Sequence, residues 1–272
     1  MKKITIAIAC AALFAMTACN GNKQKGAAGA NDSTETFEEQ QIKAGMNMHL
    51  DSLTECWMRL APSPVYSTTK DGKVKLSDNE KKVKPDYLFN PDELTPKLET
   101  MSSKYRALAV YFVDREVAKL YDMKDNYTPA LKKLATELND PALKFVYEEG
   151  DKLSYNDLNK QAYKIEEENG RANRYWETAA TSIIEQTYLL TKNKDKYLAS
   201  FTDKDAEDIT YRTILLIESF QDLAEYHPDL ANLYNVILPL EKLDALTVDQ
   251  LRQQLTDLEG DITKARDQIF NM

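Results

Sequence analysis

Residues 108–113 read Leu-Ala-Val-Tyr-Phe-Val, an uninterrupted apolar run inside a helical pattern that extends from Leu98 to Leu120. Apolar residues at three- and four-residue steps on both sides of the run predict a helix. A helix that is apolar around its whole circumference is usually buried on all sides. We therefore predict that this helix lies at the centre of a helical bundle and that the other helices pack around it.

Helix starts are marked by a capping residue before proline, or by Ser or Thr with a polar residue three positions later. Signals of these two kinds stand at Asn90-Pro91, Thr95-Pro96, Thr128-Pro129, Asp140-Pro141, Ser154, Thr202 and Thr247. The predicted helices cover about 35–61, 90–120, 129–139, 141–149, 154–169, 171–190, 202–227, 228–243 and 247–269. Residues 62–89 lack apolar periodicity, so we expect a loop there, in which the Asp71-Gly72 turn signal allows a short hairpin.

The composition also favours helices. The chain has 272 residues but only 8 glycines and 9 prolines, which is too few for a fold rich in turns. No strand pattern of convincing length is visible. We predict an all-α domain over residues 37–272, an irregular up-and-down bundle of about eight helices. A helical solenoid is the less favoured alternative, because the predicted helix lengths vary too much for a fixed repeat.

The last predicted helix has the most regular pattern. Its apolar residues follow one another at alternating steps of four and three, which is a heptad stripe. They are Leu251, Leu255, Leu258, Ile262, Ala265 and Ile269. This stripe can pack on the helix's own bundle or pair with a helix of another chain, and we expect it to pack on its own bundle.

The N-terminus predicts where the protein is located. Lys2 and Lys3 precede the apolar segment 4–14, which is too short to span a bilayer and is typical of a signal peptide. The tetrapeptide that ends at Cys19 resembles a bacterial lipoprotein box. We therefore predict a signal peptide over residues 1–18, acyl chains such as palmitate on Cys19, and a flexible tether over residues 19–36. The alternative is an ordinary signal peptide that is cleaved elsewhere.

Charge and cysteine content restrict the partners. The net charge of −9 makes nucleic acid and anionic lipid headgroups poor partners. Once the signal peptide is removed and Cys19 is acylated, Cys56 is the last free cysteine, so no internal disulfide can form. Its place beside Trp57 in an amphipathic pattern favours a small apolar core residue over a nucleophile or an intermolecular disulfide.

The sequence contains none of the common catalytic motifs. The two histidines, His49 and His227, are far apart, and neither a zincin nor a di-iron spacing is present. Nucleotide-binding loops and the hydrolase nucleophile elbow are also missing. The acidic segment 202–208 lacks the glycine and the final glutamate of a calcium loop, so helix capping explains it better. We therefore predict no catalytic residue, no metal site and no cofactor.

Charged residues inside apolar helices are the remaining site candidates. Asp114 follows the central apolar run, while Arg174, Glu185 and Tyr188 lie in the predicted helix 171–190. If both helices are central, these charges are buried and need partners. We expect Arg174 to pair with Asp114 or Glu185. Such a cluster is either a structural ion pair between two helices or a polar pocket for a small ligand.

The same segments carry a family resemblance. Residues 108–114 are similar to a Leu-Gly-Val-Tyr-Gly-x-Asp motif, with Phe112 in place of a glycine. Trp176 with Glu185-x-x-Tyr188 is similar to a Trp-x-Glu-x-x-Tyr region, although the tryptophan lies further away. Over residues 100–240 the chain thus resembles all-helical, lipobox-bearing envelope lipoproteins of Bacteroidota, a family without an assigned activity. The resemblance implies no catalytic role for any residue.

The functional expectation follows from anchor and fold. Surface lipoproteins of Bacteroidota resemble one another in an acidic stretch after the lipidated cysteine, and residues 20–25 are not acidic here. We therefore expect an outer-membrane lipoprotein that faces the periplasm. Within the envelope it would act as a non-enzymatic binding or scaffold module for a protein or peptide. The alternative is an enzyme or small-ligand binder that uses Asp114 and Glu185 as acid and base.

Overall fold

The computed structural model describes residues 37–149 and 152–272, and this part of the chain is all-α. It contains fourteen α-helices and two 3-10 helices but no strand. The α-helices are α1 (Phe37–Met58), α2 (Pro64–Lys70), α3 (Asp78–Lys82), α4 (Pro91–Leu94), α5 (Met101–Leu120), α6 (Tyr127–Leu138), α7 (Pro141–Glu149), α8 (Tyr155–Glu168), α9 (Ala172–Lys192), α10 (Lys194–Leu198), α11 (Asp203–Tyr226), α12 (Pro228–Ile237), α13 (Val248–Asp257) and α14 (Glu259–Gln268). The 3-10 helices are Thr95–Lys97 and Leu238–Lys242.

Two long helices, α5 and α9, form the centre of the fold. They make the most extensive helix pair in the described part of the chain, and α9 also contacts α8, α11, α12, α13 and α14. Trp176, on α9, is fully buried, and its ring lies 5.5 Å from that of Trp57, on α1. The prediction that the apolar run lies at the centre is confirmed for five of its six residues. Phe112 differs, since it is 43% exposed on the outer side of α5.

Most predicted helix starts are confirmed by their caps. Thr247 accepts a hydrogen bond from the Gln250 N–H, and Ser154 accepts one from the Asp157 N–H. Asp140 Oδ1 accepts from the first turn of α7, at 2.7 Å from the Ala142 nitrogen. The chain turns at Gly170, whose φ of +67° suits glycine because the residue has no Cβ. Gly150, the residue that follows the predicted helix 141–149, lies outside the described residues.

Two predicted boundaries were wrong. Residues 62–89 form no hairpin; Pro64 instead occupies the first turn of α2, a position where its missing N–H costs nothing. The predicted helix 90–120 is not continuous, because the backbone of Leu98 is extended (φ −81°, ψ 97°). The central helix α5 begins at Met101, because Thr100 and Ser103 form a reciprocal capping box.

The heptad stripe belongs to two helices, not one. The chain leaves helical geometry at Leu258 (φ −99°, ψ 3°), between α13 and α14. A strict heptad drifts by about 20° per repeat around a straight helix, and the break brings the second half of the stripe back towards α9. Every stripe residue is buried, so the stripe packs within its own bundle as expected.

The antiparallel pair α1 and α11 closes one side of the bundle. His49 on α1 lies 2.7 Å from Asp222 on α11, while Arg212 on α11 donates to the carbonyl of Ala61 just beyond α1.

None of the described helices is both long enough and apolar enough to cross a bilayer. The predicted signal peptide, Cys19 and tether lie outside the described residues.

Candidate functional site

The structure brings together two of the predicted site residues, Asp114 on α5 and Glu185 on α9. Both side chains are fully buried, and their carboxyl groups are hydrogen-bonding neighbours. Asp114 sits one step beyond the central apolar run, and Glu185 sits in the second half of α9 among buried residues. Because α5 and α9 pack along their length, each helix presents one of its two acids to the same buried space.

One proton shared between the two carboxyls satisfies their hydrogen bonds. Asp114 Oδ2 accepts from the backbone N–H of Phe89 at 2.9 Å. Asp114 Oδ1 receives no N–H or O–H donor from the described groups, so a proton held between it and Glu185 is its remaining partner. Burial, followed by the negative charge of Glu185, raises the pKa of Asp114 well above its ordinary value. Asp114 therefore keeps its proton to a higher pH than an ordinary aspartate does.

Arg266 on α14 supplies the positive charge. Its Nε lies 3.2 Å from Glu185 Oε2, and its Nη2 donates to the Tyr87 carbonyl at 2.6 Å. The guanidinium carbon lies 3.6 Å from the ring centroid of Phe89 and 4.4 Å from that of Tyr188. Burial still raises the pKa of Glu185, although Arg266 opposes that rise. We call Asp114, Glu185 and Arg266, with the Phe89 and Tyr188 rings, the central charge cluster.

The predicted pairing of Arg174 was wrong. Arg174 lies eleven positions before Glu185 on α9, about 16 Å away along the helix axis. Its Nη1 is 2.7 Å from Glu177 Oε2, and the guanidinium also contacts Ser102 and Asp229. Glu177 also pairs with Arg106 on α5, at 2.7 Å. Tyr188, in contrast, lies at the central charge cluster as predicted, stacked on Arg266.

Sequence reasoning missed Arg266, the cation of the cluster. A signal was present, because position 266 shares a helix face with the stripe residues Ile262 and Ile269. A charged residue on an otherwise buried stripe needs a buried partner. The sequence does not indicate which acid that partner is, since α14 and α9 are far apart along the chain.

A second buried acid pair, Asp140 with Glu166, was also missed. Arg171 Nε lies 3.0 Å from Glu166 Oε2, and the Tyr105 hydroxyl donates to Asp140. Burial, followed by the hydrogen bond with Asp140, raises the pKa of Glu166 to about 8. Burial tends to raise the pKa of Asp140, but the hydrogen bonds from Glu166 and Tyr105 lower it below its ordinary value. This pair therefore also shares one proton at neutral pH, and it joins α7 to the end of α8.

The raised pKa of Glu166 has a defined sign for stability. Between its ordinary value of 4.5 and about 8, the folded protein holds a proton that the unfolded chain has lost. The stabilisation is complete below pH 4.5 and is lost as the pH rises through 8. A neutral residue at position 166 removes that dependence.

The central charge cluster is closed to solvent. With both carboxyls fully buried, no open path from the surface reaches them in this conformation. A small cavity of about 10 Å³ near Thr187 and Arg212 and a surface groove of about 500 Å³ between α12 and α14 are both lined by other residues. Among the described residues, no group of three or more His, Cys, Asp or Glu side chains is arranged to hold a metal ion. The contacts of the central charge cluster fasten residues 87–89 to α5, α9 and α14, which is a structural role.

The surface carries an aromatic pair that the sequence did not indicate. Phe112 stacks on Tyr66 of α2, with ring centroids 5.5 Å apart and an angle of 20° between the rings. Arg115 lies 5.4 Å from the Phe112 ring, and Lys70 lies 5.6 Å from the Tyr66 ring.

Cys56, partly buried and in the free thiol form, packs against the core, in agreement with the apolar role predicted for it.

Comparison with known proteins leaves the site to be interpreted from its geometry. No family model, no curated protein and no solved structure matches the chain.

Proposed function

We propose that this chain is a lipid-anchored envelope protein whose helical domain faces the periplasm and binds a protein or peptide partner without catalysing a reaction. The observation that carries the binding role is the Tyr66–Phe112 pair. Aromatic residues with a neighbouring arginine are the residue types that contribute most to protein interfaces. Phe112 is also the one residue of the central apolar run that faces outwards, so part of its ring is accessible to a partner.

The rigidity of the support favours the same role. Phe112 belongs to a helix that packs extensively against α9, and the neighbouring Tyr111 and Val113 are buried. A contact residue on such a helix loses little conformational freedom on binding, which favours affinity. The central charge cluster adds to this rigidity, since it joins three helices and the segment before α4.

The anchoring part of the proposal rests on the N-terminal sequence. One acyl chain gives only marginal membrane binding, whereas two or more chains on Cys19 make the attachment stable. The tether of residues 19–36 would span on the order of 20–25 Å, enough for the domain to stand clear of the bilayer. The resemblance to envelope lipoproteins of Bacteroidota supports the same location.

The alternative function is an enzyme or small-ligand binder at the central charge cluster. The raised pKa of Asp114 favours it, because strongly shifted acids beside a specific charge partner are typical of functional sites. A ligand would have to displace Arg266 to reach that acid, since both carboxyls are buried. We therefore place the binding module first.

Two measurements test the proposal. Replacing Cys19 by Ala should release the protein from the membrane fraction, and a variant that stays fully membrane-bound contradicts the anchor. Co-purification from detergent-solubilised envelopes should recover a partner with the wild-type chain and lose it with Phe112→Ser. Arg59→Ser, which changes an arginine side chain that is 72% exposed just after α1, is the control and should keep the partner. A partner that both variants retain equally contradicts the role of the aromatic pair.

A further inference from the structure

The small cavity of about 10 Å³ lies where the start of α2 meets α9 and α11. Cavities need a volume of about 10–15 Å³ to hold one water molecule, and the water needs two to four polar partners. Polar side chains from all three elements line this cavity: Ser63, Gln186, Thr187, Arg212 and Thr213. The rest of the wall is apolar and consists of Val65, Ile183, Leu190 and Ile209.

Three of the polar residues have an atom without a partner among the described residues. Gln186 Nε2 donates to the Ser182 hydroxyl at 2.8 Å, but Gln186 Oε1 accepts no hydrogen bond. The hydroxyl of Ser63, the residue before α2, makes no hydrogen bond either. Arg212 donates through Nε and Nη2, which leaves its Nη1 without an acceptor.

Burial makes these three groups costly to leave unpaired. Ser63 and Gln186 are only 8% exposed, and Arg212 is only 4% exposed. A buried donor or acceptor without a partner loses its hydrogen bonds to bulk water on folding and gains none in return. Buried polar groups in folded proteins are therefore nearly always paired with another group or with an ordered water molecule.

The three groups together define the chemistry of the missing partner. Gln186 Oε1 needs a donor, Arg212 Nη1 needs an acceptor, and a serine hydroxyl can act as either. An anion offers no donor to Gln186, and the charge of Arg212 is already paired with Asp208 at 2.7 Å. A cation meets Arg212 and no acid in the lining. Water is the ligand that both donates and accepts and that fits the volume.

We infer that one water molecule binds in this cavity and joins the start of α2 to α9 and α11 through Ser63, Gln186 and Arg212. The inference goes beyond the proposed function and depends on neither the anchor nor a partner. Ser63 immediately precedes the helix that carries Tyr66, so the water molecule helps to fix the start of that helix on the bundle.

The first test is urea denaturation of Gln186→Met, with the full chain in detergent micelles. Methionine has a similar length but no acceptor, so the bound water loses a partner. The unfolding equilibrium constant should rise about fivefold, the effect of one lost hydrogen bond. If no water is bound, the substitution removes an unpaired buried acceptor and stabilises the fold. The control is Gln253→Met, which removes an exposed amide that bonds to Asp257 on α13.

The control should raise the unfolding equilibrium constant less than Gln186→Met does. A rise for Gln186→Met that is no larger than that of the control overturns the inference, and so does a more stable variant. This comparison stands whether or not the second variant, described next, folds.

The second test counts bound waters by oxygen-17 relaxation dispersion, which detects water molecules that stay on the protein for longer than its tumbling time. Ser63→Val adds apolar volume to the cavity and removes one polar partner. The wild type should hold one more long-lived water than Ser63→Val, provided that the circular dichroism spectra agree. Equal numbers in the two proteins overturn the inference.

Discussion

Replacing Arg266 by Met tests the central charge cluster most severely. Among the residues that the structure describes, the guanidinium is the one positive group that contacts Glu185, at 3.2 and 3.4 Å, and it also donates to the Tyr87 carbonyl. Methionine retains much of the apolar contact with Phe89 and Tyr188 but none of the charge. Glu185, fully buried, is then left without a counterion. Breaking a buried pair in this way typically costs about 3–5 kcal/mol, so we expect the free energy of unfolding at pH 7 to fall by that amount.

Urea denaturation followed by circular dichroism measures this change. The double variant Arg266→Met with Glu185→Gln removes the stranded charge and should recover more than half of the loss, which a double-mutant cycle quantifies. The matched control is Arg59→Met, whose exposed pair with Glu55 should contribute less than about 1 kcal/mol. The reasoning is refuted if Arg266→Met also loses less than about 1 kcal/mol.

Three further predictions concern the other residues of the site. Arg174→Ala should cost only about 1 kcal/mol in a urea titration, because Glu177 keeps its second arginine. The unfolding free energy of the wild type should fall between pH 5 and 8, and Glu166→Gln should make that fall smaller. Urea titrations at several pH values measure the change, and a fall as steep as that of the wild type contradicts the shared proton. Phe112→Ser should change the thermal midpoint little, since exposed substitutions usually stay within about 0.5 kcal/mol; a large drop would mean that the ring supports the fold.

Much of the fold could be predicted from the sequence because local rules decide it. The cap at Thr247 and the capping box at Thr202 depend only on residues within four positions. The buried stripe from Leu251 to Ile269 follows from helical periodicity. The break at Leu258 was not predicted, although Gly260, two residues further along the chain, is a local signal that weakens a helical pattern.

The candidate site was predicted only in part, for a related reason. Burial of Asp114 and Glu185 follows from their apolar surroundings on their own helices, and that expectation is confirmed. The choice of Arg174 as partner required knowing which turn of α9 lies beside Asp114, which is a property of the packing between helices. The exposure of Phe112 likewise depends on where α2 ends, since an apolar residue inside an apolar run gives no local sign that it faces outwards.

Photo-crosslinking in intact cells tests the anchored binding module most directly. A photoreactive phenylalanine analogue at position 112 replaces the exposed member of the aromatic pair, and the same analogue at Leu246, 51% exposed in the loop before α13, is the control. We expect one discrete crosslinked protein from position 112, none from position 246, and loss of the product when Tyr66 is replaced by Ser or Cys19 by Ala. No product from position 112, or the same products from both positions, would contradict the proposed function.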